Sequence, residues 1–310
     1  MTAIPYLVAY VTVLVFVIAV IARFVMWSKL PLHLRWELYP VAHEGKRASY
    51  GGSYLEDTDW WKKPRHVSLF GELKVMIPEI VFLVALFEHN RKMWYRSFPF
   101  HFGIYLVIGA TAVMVLCAIL GAAAPGVLES GFGRFLIRLA ITLAGSGLGL
   151  GLIGALGLLH RRLTSPDLKD FTNPADIFNL VFFIIAFGVA LGHVAMFDRD
   201  LAHSMLFVQG LITFNFASLP AATTLSIVLL GALLAYIPLT HMSHFVGKYF
   251  AYHAIRWNDE PNLRGSKYEP EIQKLLNQPV SWAAPHIKGD GKKTWVDVAT
   301  EEMKPEEKKK

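Results

Sequence analysis

Long apolar runs alternate with short charged stretches along the whole chain. Five runs, at about residues 4–27, 98–122, 135–160, 177–197 and 223–247, each hold enough apolar positions for a helix crossing about 30 Å of hydrocarbon at 1.5 Å per residue. Two shorter runs do not reach that length. Residues 75–87 are interrupted by Pro78 and Glu79 and predict an interfacial or packed helix inside a loop. Residues 205–217 are closed by Pro220 and predict a short segment leading into the last span. The pattern predicts an all-α integral membrane protein, a five-helix transmembrane bundle. Its parts are a first span (1–27), a loop with the interfacial helix (28–97), a four-helix core (98–247) and a polar tail (248–310).

Composition supports this. Of 310 residues, 54% are hydrophobic and 17% charged, with a mean hydropathy of +0.41. Soluble domains carry about 25% charged residues. Basic residues set the orientation. Eleven Lys and Arg fall in 28–97, three in 160–176 and twelve in 245–310, whereas the opposite connections hold only Arg134, Arg138 and Arg199. The expected topology has the N-terminus outside and the C-terminus cytoplasmic, in the inner (cytoplasmic) membrane. The first run carries no charge before Arg23 and ends in no A-x-A-like site, so it is expected to be a retained helix rather than a signal peptide. The net charge of +6 records this topology and calls for no nucleic-acid partner. Cys117 is the single cysteine, which excludes a disulfide framework, a thiolate metal site and an iron–sulfur cluster within the chain.

Histidine carries the chemistry. A histidine inside a bilayer is expensive and marks function. His33, His43, His66, His89, His203, His253 and His286 fall in loops and tail, and His160 ends a span beside Arg161 and Arg162 as an interfacial anchor. His101 opens the second span, and His241 and His244 close the fifth, so all three lie in one leaflet. Haem iron between two helices needs one imidazole from each. His101 with a histidine of the last span meets that need; hydrogen bonding between helices is the other reading. His241 and His244 are expected to share a helix face loosely, three residues apart. His193, near the far end of the fourth span, is a packing residue, a quinone-site candidate or part of a second haem site. Lys248, one turn past His244, is a snorkelling anchor or a second quinone-site candidate; Glu79 and Glu88 are further ones. In the third span, Gly145-x-x-x-Gly149 and Gly147-x-x-x-Gly151 are spacings for close helix contact or for room beside a porphyrin, and Gly103 could relieve crowding against a macrocycle.

Three segments then carry a resemblance: WYRSFPFHFGIYLVI (94–108), LLHRRLTSPDLKDFTNPAD (158–176) and PLTHMSH (238–244). In this order they resemble the membrane cytochrome b, or gamma, subunit of respiratory nitrate reductase. Within that family the chain looks most similar to the branch paired with heterodisulfide-reductase-like iron–sulfur subunits, because its first inner loop is long. The resemblance implies haem b, with His101 and His244 as iron ligands and His241 near a propionate. Members with two haems carry a second histidine pair where this chain has Thr111 and Ser226, so at least one haem is expected. The implied function is electron transfer between (mena)quinone and a cytoplasmic iron–sulfur partner, as a subunit of a quinone-linked respiratory oxidoreductase. The alternative is a haem-free membrane anchor or transporter subunit. Trp36, Tyr39, Tyr50, Tyr54, Trp60 and Trp61 in the first loop, with Arg256-Trp257 after the last span, read as a docking surface for that partner or as a small cap.

Overall fold

A computed structural model describes residues 2–30, 41, 53–64, 68–124, 126–284, 287 and 289–302. His33, His43, His66, His286, Trp36, Tyr39 and Tyr50 lie outside the described residues. The chain forms two compact units, Met1–Arg23 with Ser68–His244, and Phe24–Val67 with Phe245–Lys310.

In chain order the helices are α1 (Ile4–Ser28), α2 (Leu69–Phe82), α3 (Val84–His89), α4 (Arg91–Ala123), α5 (Gly131–Thr164), α6 (Pro174–Met196), α7 (Ala202–Thr213) and α8 (Ala221–Leu239). Then come a tight 3-10 turn, His241–Ser243, and α9 (His244–Phe250), α10 (Glu269–Leu276) and α11 (Trp295–Thr300). Among the described residues, α1, α4, α5, α6 and α8 are long and apolar enough to cross a membrane. Their outward faces are apolar: Leu7, Leu14 and Ile18 on α1 are each more than half exposed. Water would penalise that surface, whereas lipid accepts it. The protein is a multi-pass membrane protein.

Backbone contact between α4 and α5 sets the centre of the first unit. A Cβ on Gly103 would sit 2.3 Å from the Gly151 nitrogen, and one on Gly154 would sit 2.3 Å from the Phe100 nitrogen. Gly147 and Gly151 face the packing, while a Cβ on Gly145 or Gly149 would meet nothing within 4 Å. Only one of the two small-residue spacings is therefore a contact seam. Gly103 relieves crowding against α5 rather than against a macrocycle. Phe100, Leu148, Phe183, Phe187 and Leu233 complete the core between α4, α5, α6 and α8. At the opposite end of the bundle Asp198, 1% exposed, caps α7 by accepting from the backbone N–H groups of His203 (2.8 Å) and Ser204 (2.9 Å). With 12 residues α7 is too short to cross, as its sequence run predicts.

The interfacial run is two helices rather than one. Leu83, at φ 53°, ends α2 and opens α3. Glu79 Oε2 accepts from the Ala85 N–H (2.8 Å) and ties the hairpin together. Two carbonyls of the last turn of α2 receive side-chain donors from α4: Trp94 Nε1 donates to Phe82 (2.7 Å) and Tyr105 Oη to Ile80 (2.9 Å).

The second unit is built on aromatic contacts. Trp27 lies against Gly247, Phe24 packs on Phe250 at 5.1 Å, and Trp257 stands edge-on to Tyr252 at 4.9 Å. Trp60 and Trp61 pack edge to face at 6.1 Å, with Asp59–Lys62 (3.1 Å) and Asp57–Lys63 (2.9 Å) ion pairs around them.

Candidate functional site

His101 sits one turn past the buried Ser97 of α4. Asn90 caps the helix by accepting from the Met93 N–H. Pro99 lies inside it and donates no hydrogen bond to the preceding turn. His101 Nδ1 lies 2.8 Å from the Ser97 carbonyl oxygen, which can only accept. Nδ1 therefore carries the proton, and Nε2 is the basic nitrogen that a metal would take.

The partner histidine arrives by a break in the last span. The expected continuous helix over 223–247 stops at Leu239, one residue past Pro238. Thr240 is extended (φ −113°, ψ −176°), and its hydroxyl accepts from the Met242 N–H (3.2 Å) to start the turn His241–Ser243. His244 then opens α9. Arg23 of α1 reaches the broken end, where Nε donates to the Pro238 carbonyl (3.2 Å) and Nη2 to that of Leu239 (3.1 Å). The single helix face expected of His241 and His244 is thus replaced by a turn carrying His241 and a new helix opening at His244.

The rings of His101 and His244 lie 6.0 Å apart between centres, with planes at 74°. Two metal–imidazole bonds of about 2.0 Å plus about 1.1 Å from each nitrogen to its ring centre give roughly 6 Å. The spacing would admit one metal ion between the two rings. A cavity of about 240 Å³ opens beside them, lined by both histidines, Phe100 and Phe183, and on its polar side by Arg161, Arg162, Asp176, Asn179 and His241. Arg162 Nη2 lies 3.8 Å from Asp176 Oδ2, and His241 Nε2 lies 3.9 Å from Asp176 Oδ1. Asn179 Nδ2 lies 3.4 Å from His241 Nε2, and Asn179 Oδ1 accepts from Tyr236 Oη (2.7 Å). A basic rim above two imidazoles fits a haem, whose propionates carry negative charge.

A family model of the nitrate reductase gamma subunit matches residues 85–258. The chain belongs to this family. Gamma subunits are haem b-containing membrane cytochromes of respiratory oxidoreductases, associated with catalytic and electron-transfer subunits. No curated protein matches the chain.

In this gamma-family chain, sequence reasoning missed the polar rim. Arg161, Arg162 and Asp176 stood only within the family-like segment 158–176, with no site role, and Asn179 and Tyr236 were not singled out. The Arg-Arg pair within the family-like segment 158–176 was the signal available. Among the other candidates, His193 is 5% exposed and its Nε2 lies 2.9 Å from Thr223 Oγ1, at the opposite end of the bundle from His101. Ser226 is buried one turn further along α8, and the exposed Thr111 bonds to the Val107 carbonyl of its own helix. Neither is a usual iron ligand. Lys248 belongs to the second unit, with Nζ 6.0 Å from the centre of the Tyr252 ring. His160 is exposed at the end of α5.

Proposed function

We propose that this chain carries haem b between His101 and His244 and passes electrons between membrane (mena)quinone and an iron–sulfur subunit on the cytoplasmic face. The observation that carries the reading is the 6.0 Å ring spacing, reached from two separate helices, with the His101 tautomer set for ligation. A bis-imidazole haem supplies one-electron chemistry without binding a further ligand. The chain's own residues hold and tune it. His101 and His244 would hold its iron. Arg161 and Arg162 would supply positive charge to the propionates, with His241 beside them on the same rim. Phe100 and Phe183, which line the cavity, would keep water from the bound group.

The weight of Lys and Arg in 28–97 and 245–310 supports placing His101, His244 and the docking surface on the cytoplasmic side. The long first loop supports a partner of the heterodisulfide-reductase type. His193 and Lys248 are candidates for the quinone headgroup by residue type. The buried bond of His193 to Thr223 suits helix packing better.

The test is the dithionite-reduced minus oxidised spectrum of the purified chain, with the haem-to-protein ratio. Sharp α- and Soret-band changes at about one haem per chain are expected. A flat difference spectrum would favour the haem-free anchor or transporter reading.

A further inference from the structure

We infer that the face of α4 carrying Trp94, Phe98, Phe102 and Tyr105, where the α2–α3 hairpin leans on it, is the binding site for the ring of a membrane quinol. The inference rests on the haem reading above and gives that reading a donor site.

The hairpin is unusual for its place. α2 has 14 residues, about 21 Å at 1.5 Å per residue, too short to cross. None of its residues is buried, and Leu69, Phe70 and Ile77 are each more than half exposed. Such a helix, set into lipid, would end within it. Its terminal carbonyls must then be met from protein, and Trp94 and Tyr105 of α4 meet two of them. Non-helical backbone such as the left-handed Leu83 is tolerated at membrane depth only where protein shields it or a cavity adjoins it.

The α4 face is a stack of flat rings. Trp94 and Phe98 lie 4.5 Å apart at 10°, and Phe98 and Phe102 lie 5.3 Å apart at 16°. A quinol ring is flat, lipid-soluble and suited to extend such a stack. The polar groups beside it are acceptors: the Glu79 carboxylate, the Tyr105 phenol oxygen and the Ile80 carbonyl. Acceptors match a quinol, whose hydroxyls donate, better than a quinone, whose carbonyls accept.

The site adjoins the iron ligand. Phe98, Phe102 and Tyr105 stand three before, one after and four after His101, within about 100° around the helix, and Tyr105 is about 6 Å further along it. His193 is enclosed with Thr223 at the other end of the bundle, away from that ligand.

The experiment uses the full chain in detergent with a short-chain 1,4-naphthoquinol as probe. Binding is read by quenching of tryptophan fluorescence and haem reduction by stopped flow, for wild type, Glu79→Gln, Tyr105→Phe, Phe98→Leu and His193→Ala. Glu79→Gln and Tyr105→Phe are expected to raise Kd about tenfold each and slow haem reduction, the loss of one hydrogen bond. Phe98→Leu is expected to raise Kd several-fold. Haem content and the dithionite-reduced spectrum should stay as in wild type, and His193→Ala should bind as wild type. Unchanged Kd in all three α2–α4 variants overturns the inference, as does loss of binding in His193→Ala alone. A wild-type chain without haem would defeat the haem reading, and the fluorescence arm would still decide the site. Should one variant lose haem, the other two decide.

Discussion

His101 and His244 differ from His241 in what each nitrogen is given to do. His101 has its Nδ1 proton bound to Ser97 O, and its ring faces that of His244. The His241 side chain is 65% exposed and turned to Asp176 and Asn179. His101→Ala and His244→Ala should therefore each abolish the low-spin haem spectrum, because one axial position is emptied. His241→Ala should keep it. Haem retained in His244→Ala but lost in His241→Ala would move the ligand one turn earlier. Charge at the rim gives a second prediction. The oxidised haem carries one more positive charge than the reduced form, so a nearby cation favours reduction. Arg162→Ala should lower the haem potential by on the order of tens of millivolts, and Asp176→Asn should raise it. A redox titration followed at the α band reads both.

Among the elements, the α4–α5 seam and the break after α8 matter most. The Gly103, Gly147 and Gly154 positions admit no side chain, because the opposing group is backbone. Gly154→Ala should force the Phe100 segment away and cost about 1–3 kcal/mol, with loss of haem from the displaced His101. Gly149→Ala is the control: a Cβ there meets nothing within 4 Å, and stability should not fall. Thermal melts of the two variants in detergent, followed by the Soret band, separate them. The α8 break depends on Pro238, Thr240 and the two hydrogen bonds from Arg23. Arg23→Ala leaves those carbonyls to find other donors and should cost about 1–3 kcal/mol. Haem occupancy should fall with stability, since His244 follows the break directly.

For the whole molecule, topology and assembly are the testable properties. The basic residues predict a cytoplasmic C-terminus, so a reporter active only in the cytoplasm should work when fused after Lys310. In the second unit Trp61 is 42% exposed within a charged turn, the character of an interface anchor. Trp60→Ala with Trp61→Ala should preserve haem and weaken co-purification of an iron–sulfur subunit. Full recovery of the partner in salt would leave this turn as a local cap, packed on Tyr54.

The sequence by itself determined the elements that depend on composition and period. Five apolar runs of spanning length can satisfy their backbone in lipid only as helices, so their number and approximate limits were legible. That His101 and His244 would meet was legible too, because a histidine at membrane depth stands out from its neighbours. Tertiary structure alone decided what depends on the meeting of distant residues. Which glycine spacing is a seam turns on the partner backbone of α4, not on the spacing itself. The end of α8 before His241 turns on Arg23, more than two hundred residues earlier, and on the Thr240 cap. The polar rim joins the last turn of α5 to the first turns of α6 and to His241. Arg161 and Arg162 look like ordinary interfacial anchors until Asp176, Asn179 and His241 are brought to the same cavity. Periodicity records which face of a helix is apolar, but not what stands across from it, and only packing supplies that.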